Sequence, residues 1–257
     1  VNINLNTFIL TKLSINLNKI ALLRNARGEN YPNLELYANK AIDLGVDGLT
    51  LHPRPDHRHA TSNDVINLAQ IAKNRSVEFN IEGNPFSKPN NSFQGFYELV
   101  KIITPDQITL VPDNVDQITS DHGWSSGDHD IDLKNIIMKL RDVSNKSQIS
   151  LFIDNLNGIE YAYELGVDLI EIHTGEFSKG IEKNDMSVLT NIQNMINLAN
   201  ELGLKINAGH DLNLDNLKYL VDMGNINEVS IGHAIIVDSL NFGFETTIKK
   251  YLDIIRN

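Results

Sequence analysis

Eight short apolar runs alternate with amphipathic segments along the chain, and this alternation constrains the fold more than any other feature. The runs are rich in Ile, Leu and Val, which is typical of a parallel sheet covered on both faces. They are Leu13–Leu17, Gly48–His52, Glu78–Glu82, Gln107–Val111, Ile149–Ile153, Leu169–His173, Leu204–Ala208 and Glu228–Ile231. The segments between them, such as Leu34–Leu44 and Val188–Leu202, have the period of helices. Eight consecutive βα units predict an α/β fold, a (β/α)₈ barrel of the TIM type.

The same turn follows three of the predicted helices. Gly45, Gly166 and Gly203 each come after a leucine and directly before a strand, where a glycine can end a helix in the left-handed conformation. No linker or change of composition divides the 257 residues, so we expect residues 1–257 to form a single barrel domain, with the first ten or so as a peripheral extension. The alternative fold is a doubly wound open sheet, which usually has a glycine-rich first turn; the turn Asn18-Lys19-Ile20 has no glycine.

Three predicted βα connections are longer than the ~2–6 residues that are usual in α/β units. They are Asn18–Pro32, Pro112–Asp130 and Thr174–Asp185. All three leave the carboxyl ends of strands, where a barrel enzyme has its active site. We therefore expect them to hold additional helices or to cover a substrate.

Side chains suited to acid–base chemistry gather at the carboxyl ends of the predicted strands. These residues are Asn16, Asn18, His52, Glu82, Glu171, His173, Asn207, His210 and His233. Because the strand ends of a barrel converge on one mouth, residues distant in sequence become neighbours there. We interpret Glu82 and Glu171 as functional, since a carboxylate inside a barrel is costly unless it is paired. We interpret His52 and His210 as functional because Pro53 and Gly209, which allow close approach, flank them at strand ends. For His173, a role as a buried histidine of the barrel interior is an equal alternative.

A second group of residues predicts binding of phosphorylated small molecules. The loop after His52 is basic and stiffened by two prolines, and it carries Arg54. Arg24 and Arg27 in the first long connection would overhang the barrel mouth near this loop. The stretch Ser230–Ala234 fits the phosphate site that barrels commonly build after strands seven and eight.

Composition excludes several other classes of function. The net charge of −11 argues against a nucleic-acid partner or an anionic membrane surface. The absence of cysteine excludes disulfides, thiolate catalysis and cysteine-ligated zinc. No apolar run approaches the ~18 residues of a membrane span. The first residues have neither the basic nor the apolar part of a secretory signal, so we expect a cytoplasmic location.

Taken together, the motifs closely resemble those of the pyridoxine 5′-phosphate synthase (PdxJ) family. From about Leu13 onward the chain contains, in order, Asn16-Leu-Asn-Lys19, Leu23-Arg-Asn-Ala-Arg-Gly28, His52-Pro-Arg-Pro-Asp-His-Arg-His59, Phe79-Asn-Ile-Glu-Gly83, Leu110-Val-Pro112, Glu171-Ile-His-Thr-Gly175, Asn207-Ala-Gly-His210 and Ile231-Gly-His-Ala234. The resemblance implies a barrel with extra helices, assembled as a homo-octamer, a tetramer of dimers. It implies condensation of 1-deoxy-D-xylulose 5-phosphate with 3-amino-2-oxopropyl phosphate, with no metal or organic cofactor.

The resemblance also assigns roles to individual residues. His52 and Glu82 would be proton acceptors, His210 the proton donor, and Glu171 the residue that supports the transition state. The aminoketone phosphate would contact Asn16, Arg27, Asp211, Gly232 and His233. The deoxyxylulose phosphate would contact Asn18, Lys19, Arg54, His59 and Thr119.

The sequence departs from the family pattern at three places. Lys19 stands where many members have histidine, and Asp211 stands where others have glycine. The pair His122-Gly123 replaces two glycines in the fourth βα connection. These departures affect the expected phosphate pockets more than the expected reaction.

Two other functions are compatible with the same residues. A metal-dependent barrel hydrolase or isomerase acting on a phosphorylated molecule could use His52, His173, His210 and a glutamate as ligands. Against it, the first strand ends in Asn-Leu-Asn and not in a His-x-His pair. A non-catalytic phosphate-binding barrel is the second alternative.

Overall fold

In the computed structural model, which describes residues 10–114, 116–127 and 130–257, eight parallel strands close into a barrel. The strands are β1 (Lys12–Asn16), β2 (Gly48–Leu51), β3 (Glu78–Gly83), β4 (Gln107–Leu110), β5 (Gln148–Ile153), β6 (Leu169–His173), β7 (Lys205–Gly209) and β8 (Glu228–Ile231). They follow one another around the barrel in chain order, and Ile15 of β1 pairs with both Leu49 and Ile231, which closes the sheet. The predicted (β/α)₈ barrel is confirmed, and the open-sheet alternative is wrong.

Helices surround this barrel. They are α1 (Asn18–Asn25), α2 (Leu34–Asp43), α3 (Ser62–Arg75), α4 (Phe96–Ile103), α5 (Asp130–Val143), α6 (Leu156–Leu165), α7 (Gly175–Glu182), α8 (Ser187–Glu201), α9 (Leu217–Val221), α10 (His233–Phe242) and α11 (Phe244–Arg256). The additional helices α1 and α7 occupy two of the three long connections, as expected. The third, residues 112–129, contains no helix among its described residues.

The strands turn polar side chains into the barrel interior, although their apolar sequences are typical of a sheet that is covered on both faces. Ser14 and Thr50 bond to each other at 2.8 Å, and Asn207 donates to the side chain of Gln107 at 3.0 Å. Because β4 and β7 are not neighbours in the sheet, this second bond crosses the barrel interior. Alternate residues therefore turn buried polar side chains inward, while the Ile, Leu and Val residues between them pack against the helices.

The expected peripheral extension falls mostly on residues 1–9, which lie outside the described residues. Residues 10–12 lead directly into β1, where the side chain of Thr11 donates to the backbone oxygen of Ile226 at 2.9 Å. Within the described part of the chain, no helix is long and apolar enough to cross a membrane.

Candidate active site

His52 lies just after the carboxyl end of β2, between a carboxylate on β3 and one that follows β4. Its Nε2 is 3.0 Å from Oδ2 of Asp113, which follows β4, and its Nδ1 is 3.7 Å from Oε2 of Glu82 on β3. All three side chains are buried. A backbone bond from His52 N–H to the side-chain oxygen of Asn18, 3.1 Å long, fixes the position of His52 relative to α1.

The carboxyl groups of Glu82 and Glu171 have a raised proton affinity. Burial raises the pKa of Glu82 well above its usual range, and the negative charges of Glu171 and Asp113 raise it further. Burial raises the pKa of Glu171 to about 7. Asn16 donates to Glu82 at 3.4 Å. Near neutral pH this part of the barrel mouth can therefore store and exchange protons.

His210 follows β7 and faces the loop after β4. Its Nε2 is 2.9 Å from the hydroxyl of Thr119, and its Nδ1 is 3.1 Å from Oδ2 of Asp211. Contact with His210, assisted by nearby histidine charges, lowers the pKa of Asp211 despite partial burial. The Asp211 carboxylate is thus an ionised partner for a protonated His210.

The ring of His173 packs edge-on against the ring of His210, with their centroids 4.6 Å apart. Burial, together with the charge of His210, lowers the pKa of His173 to about 4. His173 is therefore a neutral neighbour of the proposed acid at physiological pH. Its Nε2 is buried and has no hydrogen-bond partner among the described residues.

The backbone at His210 and Asp211 is unusual, since both residues have positive φ, at 86° and 57°. Surrounding side chains hold it in place. The Thr174 hydroxyl donates to the carbonyl of Gly209 at 2.7 Å, and Ser178 donates to the carbonyl of Asp211 at 3.0 Å. Such a conformation persists when its neighbours fix it, and it presents the imidazole to the barrel mouth.

The two clusters meet in the barrel interior. An added Cβ at Gly209, the residue before His210, would lie 2.5 Å from Oε1 of Glu171. Glu171 in turn acts electrostatically on Glu82. Groups from β2, β3, β6 and β7 therefore surround one space, as the strand-end argument predicts.

Arg54 and His59, two of the predicted phosphate-binding residues, lie on the loop that follows β2. Arg54 is buried, and its guanidinium pairs with Asp113 and donates to the carbonyls of Asn114 and Gln117. His59 is half-buried. Desolvation, with the nearby charges of His52, Arg54 and Lys19, lowers its pKa to about 3. A neutral imidazole here can donate a hydrogen bond to an anion without adding to the positive charge.

Gly232 and His233 begin α10 beside β1. An added Cβ at Gly232 would lie 2.8 Å from the carbonyl oxygen of Asn16, so the α10 N-terminus lies against the end of β1 with no room for a side chain. His233 is exposed and close enough to Asp211 to act on its pKa. Asn16, Asp211, Gly232 and His233 thus share one side of the mouth, where helix N–H groups favour an anion.

The arginines of the first long connection differ from each other. Arg24 forms a two-pronged ion pair with Asp64 of α3, at 2.5 and 2.8 Å. Arg27 is exposed just after α1, and within the described residues no contact joins it to the site clusters.

A cavity of about 270 Å³ opens beside His52, between the connections that follow β2, β3 and β4. It is lined by His52, Pro53, Arg54, Pro55, Asn84, Phe86, Ser87, Asp113 and Asn114. The sequence-based analysis did not single out Asp113. An aspartate two residues after a strand, in the polar connection after β4, could have been considered, but nothing in the sequence distinguishes it from Asp116 or Asp121.

The carboxylates and imidazoles are not arranged as metal ligands. Across the described ranges, no group of three or more His, Asp or Glu side chains could hold a metal ion. The donor geometry lends no support to the metal-dependent alternative.

Comparison with known proteins identifies the family. The model of the family described as pyridoxal phosphate biosynthesis protein PdxJ matches residues 13–257. A pyridoxine 5′-phosphate synthase of Xylella fastidiosa is 42% identical over 248 residues, covering 95% of each chain. One from Xanthomonas axonopodis pv. citri is 40% identical over 250 residues, covering 96% of this chain and 97% of its own.

Solved structures of much lower identity share the fold. A KGPDC structure from Streptococcus mutans superposes with a TM-score of 0.60 at 12% identity, covering 96% of this chain and 98% of its own. A thiamine phosphate pyrophosphorylase from Pyrococcus furiosus gives 0.59 at 10% identity, covering 96% of each chain. At such identities the likeness shows the barrel and carries no functional argument. The match to the family model and the identity to the synthases are what decide the assignment: this chain belongs to the PdxJ family of pyridoxal phosphate biosynthesis proteins.

Proposed function

We propose that this chain condenses 1-deoxy-D-xylulose 5-phosphate with 3-amino-2-oxopropyl phosphate, releasing pyridoxine 5′-phosphate, inorganic phosphate and water. Pyridoxine 5′-phosphate synthesis, a step of vitamin B6 biosynthesis, is the activity of the family to which the chain belongs. The observation that carries the detailed proposal is the convergence of His52, Glu82 and His210, from three different strands, on one barrel mouth.

The reaction moves many protons. Ring closure requires an imine, loss of phosphate, addition and removal of water, and aromatisation, so it needs several groups that exchange protons near neutral pH. His52 and Glu82 act as proton acceptors. Nδ1 of His52 and Oε2 of Glu82 are 3.7 Å apart, so the two acceptors lie close enough to act on the same substrate.

His210 acts as the proton donor, through Nε2, which points toward Thr119. Asp211 stabilises the protonated ring from the Nδ1 side. Glu171, buried beneath Gly209, supports positive charge that develops in the transition state.

The substrates occupy two sides of the mouth. The deoxyxylulose phosphate contacts Asn18, Lys19, Arg54, His59 and Thr119, and the aminoketone phosphate contacts Asn16, Arg27, Asp211, Gly232 and His233. At Asp211 the phosphate meets the backbone N–H, because the carboxylate is turned toward His210. The α10 N-terminus supplies further N–H groups. The chain works without a metal or organic cofactor, in the cytoplasm, as a homo-octamer.

Mixing the purified protein with both substrates tests this function. Phosphate should be released together with pyridoxine 5′-phosphate, identified by its mass, and neither should form when one substrate is left out. Protein dialysed against EDTA should keep its full rate. If saturating substrates give neither product, the synthase function is excluded; a rate lost on dialysis and restored by a divalent metal would favour the metal-dependent alternative.

A further inference from the structure

Asp113 is a buried carboxylate that contacts a proposed catalytic group, His52. Its side chain is 5% exposed, and its Oδ2 lies 3.0 Å from Nε2 of His52. Its backbone oxygen accepts a hydrogen bond from the Asn84 side chain at 2.8 Å, which fixes the residue against the β3 side of the mouth. Although burial opposes ionisation, the charges of His52 and Arg54 lower the pKa of Asp113, so it is an anion.

From this geometry we propose that Asp113 is a positioning residue for His52, an inference that rests on the proposed function. An ionised carboxylate can only accept hydrogen bonds, so the proton of a neutral His52 must lie on Nε2. The Nδ1 lone pair then faces Glu82 and is free to take a proton. When it does so, the Asp113 carboxylate stabilises the imidazolium ring.

The charges around His52 show why such a partner is needed. Arg54 lies beside the same carboxylate and Lys19 lies near His59, so the mouth already contains positive charge. A second cation at His52 would be repelled there unless an anion compensated it. The Asp113 carboxylate contacts both the Arg54 guanidinium and the His52 imidazole. It compensates the charge of the arginine at all times and that of the histidine when the ring is protonated.

The two carboxylates that flank His52 have opposite proton affinities. The pKa of Asp113 is lowered, whereas burial raises that of Glu82. Carboxyl groups pushed apart in this way take different roles, one remaining an anion and the other exchanging protons. Asp113 therefore orients the base, and Glu82 and His52 carry the proton.

The first test needs no turnover. In histidine ¹⁵N NMR spectra of the whole protein, His52 is assigned by the signal that His52→Gln removes. In wild-type protein at a pH where the ring is neutral, His52 should show the Nε2–H tautomer, and Asp113→Asn should increase the other form. A wild-type ring protonated on Nδ1 would overturn the proposal, and so would a tautomer ratio that Asp113→Asn leaves unchanged.

The second test separates positioning from substrate binding. Asp113→Asn should lower kcat about 100-fold or more, with each KM within about threefold, and Asp113→Glu should recover part of the rate. As a control, Asp168→Asn breaks an ion pair with Arg141 at the other end of the barrel and should keep wild-type kinetics.

Three kinetic results would contradict the proposal. They are an unchanged kcat in Asp113→Asn, a rise in KM that accounts for the whole loss, or no recovery in Asp113→Glu. If Asp113→Asn does not fold, the wild-type tautomer still decides the question. An inactive wild-type protein would count against the proposed function, while the tautomer measurement would still judge Asp113.

Discussion

At the scale of single residues, the site depends on how burial changes proton affinity. Glu82 and Glu171 are within the barrel mouth, where water cannot stabilise their charges, and their pKa values are raised. Asp113 is buried as well, yet it is ionised because Arg54 and His52 contact it directly. The role of a buried carboxylate in this site therefore depends on whether cationic side chains contact it.

Glu82→Gln should slow turnover far more than it weakens binding. The amide keeps the shape and much of the hydrogen bonding but cannot accept a proton, so we expect kcat to fall about 10²–10⁴-fold with KM changed by a few-fold at most. Steady-state kinetics, with isothermal titration of each substrate, measures both. Equal losses in affinity and turnover would indicate that Glu82 is structural.

Glu171→Gln should change how stability depends on pH. The pKa of Glu171 is about 7 in the folded protein against 4.5 for the free side chain. A raised folded pKa contributes stability below the unfolded value that is lost as pH rises through the folded value. The free energy of unfolding of the variant, relative to wild type, should therefore rise between pH 5 and pH 7, by roughly 1 kcal/mol per pH unit at most. Urea unfolding at several pH values measures this, and parallel curves would contradict it.

At the scale of secondary-structure elements, α1 connects the site to the helical layer. Arg24 anchors it to Asp64 of α3, and that carboxylate also forms a capping box with Thr61. Asn25 donates to the carbonyls of His57 and His59, at 3.2 and 2.7 Å. Because these carbonyls belong to the loop after β2, α1 sets the position of the loop that carries Arg54 and His59.

Asn25→Ala should therefore weaken catalysis without unfolding the protein. Loss of both bonds frees the loop, and we expect kcat/KM to fall about tenfold, with Tm lowered by only a few degrees because Asn25 is exposed. Asn74→Ala, which removes an exposed bond to Gln70 on α3, is the matched control. Identical kinetics in the two variants would show that α1 does not position the loop.

Most strands and helices could be predicted from the sequence, whereas the loop after β4 and the break between the last two helices could not. The strands and most helices follow from hydrophobic period, and Gly166 ends α6 in the left-handed conformation, as expected. The apolar period that runs through residues 239–255 hides a break, because the chain there forms two helices, α10 and α11, separated at Gly243. The position of Asp113 depends on how the loop after β4 folds over the mouth, and the bonds of Arg54 to loop carbonyls depend on the same folding. The hydrophobic periodicity of the sequence predicts neither the position of Asp113 nor the hydrogen bonds of Arg54.

At the scale of the whole molecule, the barrel brings together residues that are far apart in sequence. His52, Glu82 and His210 need no local motif, because parallel strands deliver their carboxyl ends to one mouth. Apolar side chains remain exposed on neighbouring helices of the outer layer: Leu22 and Leu23 on α1, and Val237 and Leu240 on α10. Burial between subunits would remove these apolar side chains from water.

For the proposed homo-octamer, light scattering should give a particle of eight copies of the 28.8 kDa chain. Leu240→Glu, which places a charge on a side chain that is 82% exposed, should reduce the mass of the assembly. A wild-type monomer would contradict the octamer proposal, while an octamer unaffected by Leu240→Glu would place the interface elsewhere.

The structure of the protein with 1-deoxy-D-xylulose 5-phosphate bound tests the central claim most directly. The account predicts that the phosphate contacts Arg54 and His59, with the carbon chain within hydrogen-bond reach of His52 and Glu82 and close to His210. A phosphate bound at the amino-terminal end of the barrel, or a carbon chain out of reach of all three proposed acid–base groups, would contradict it.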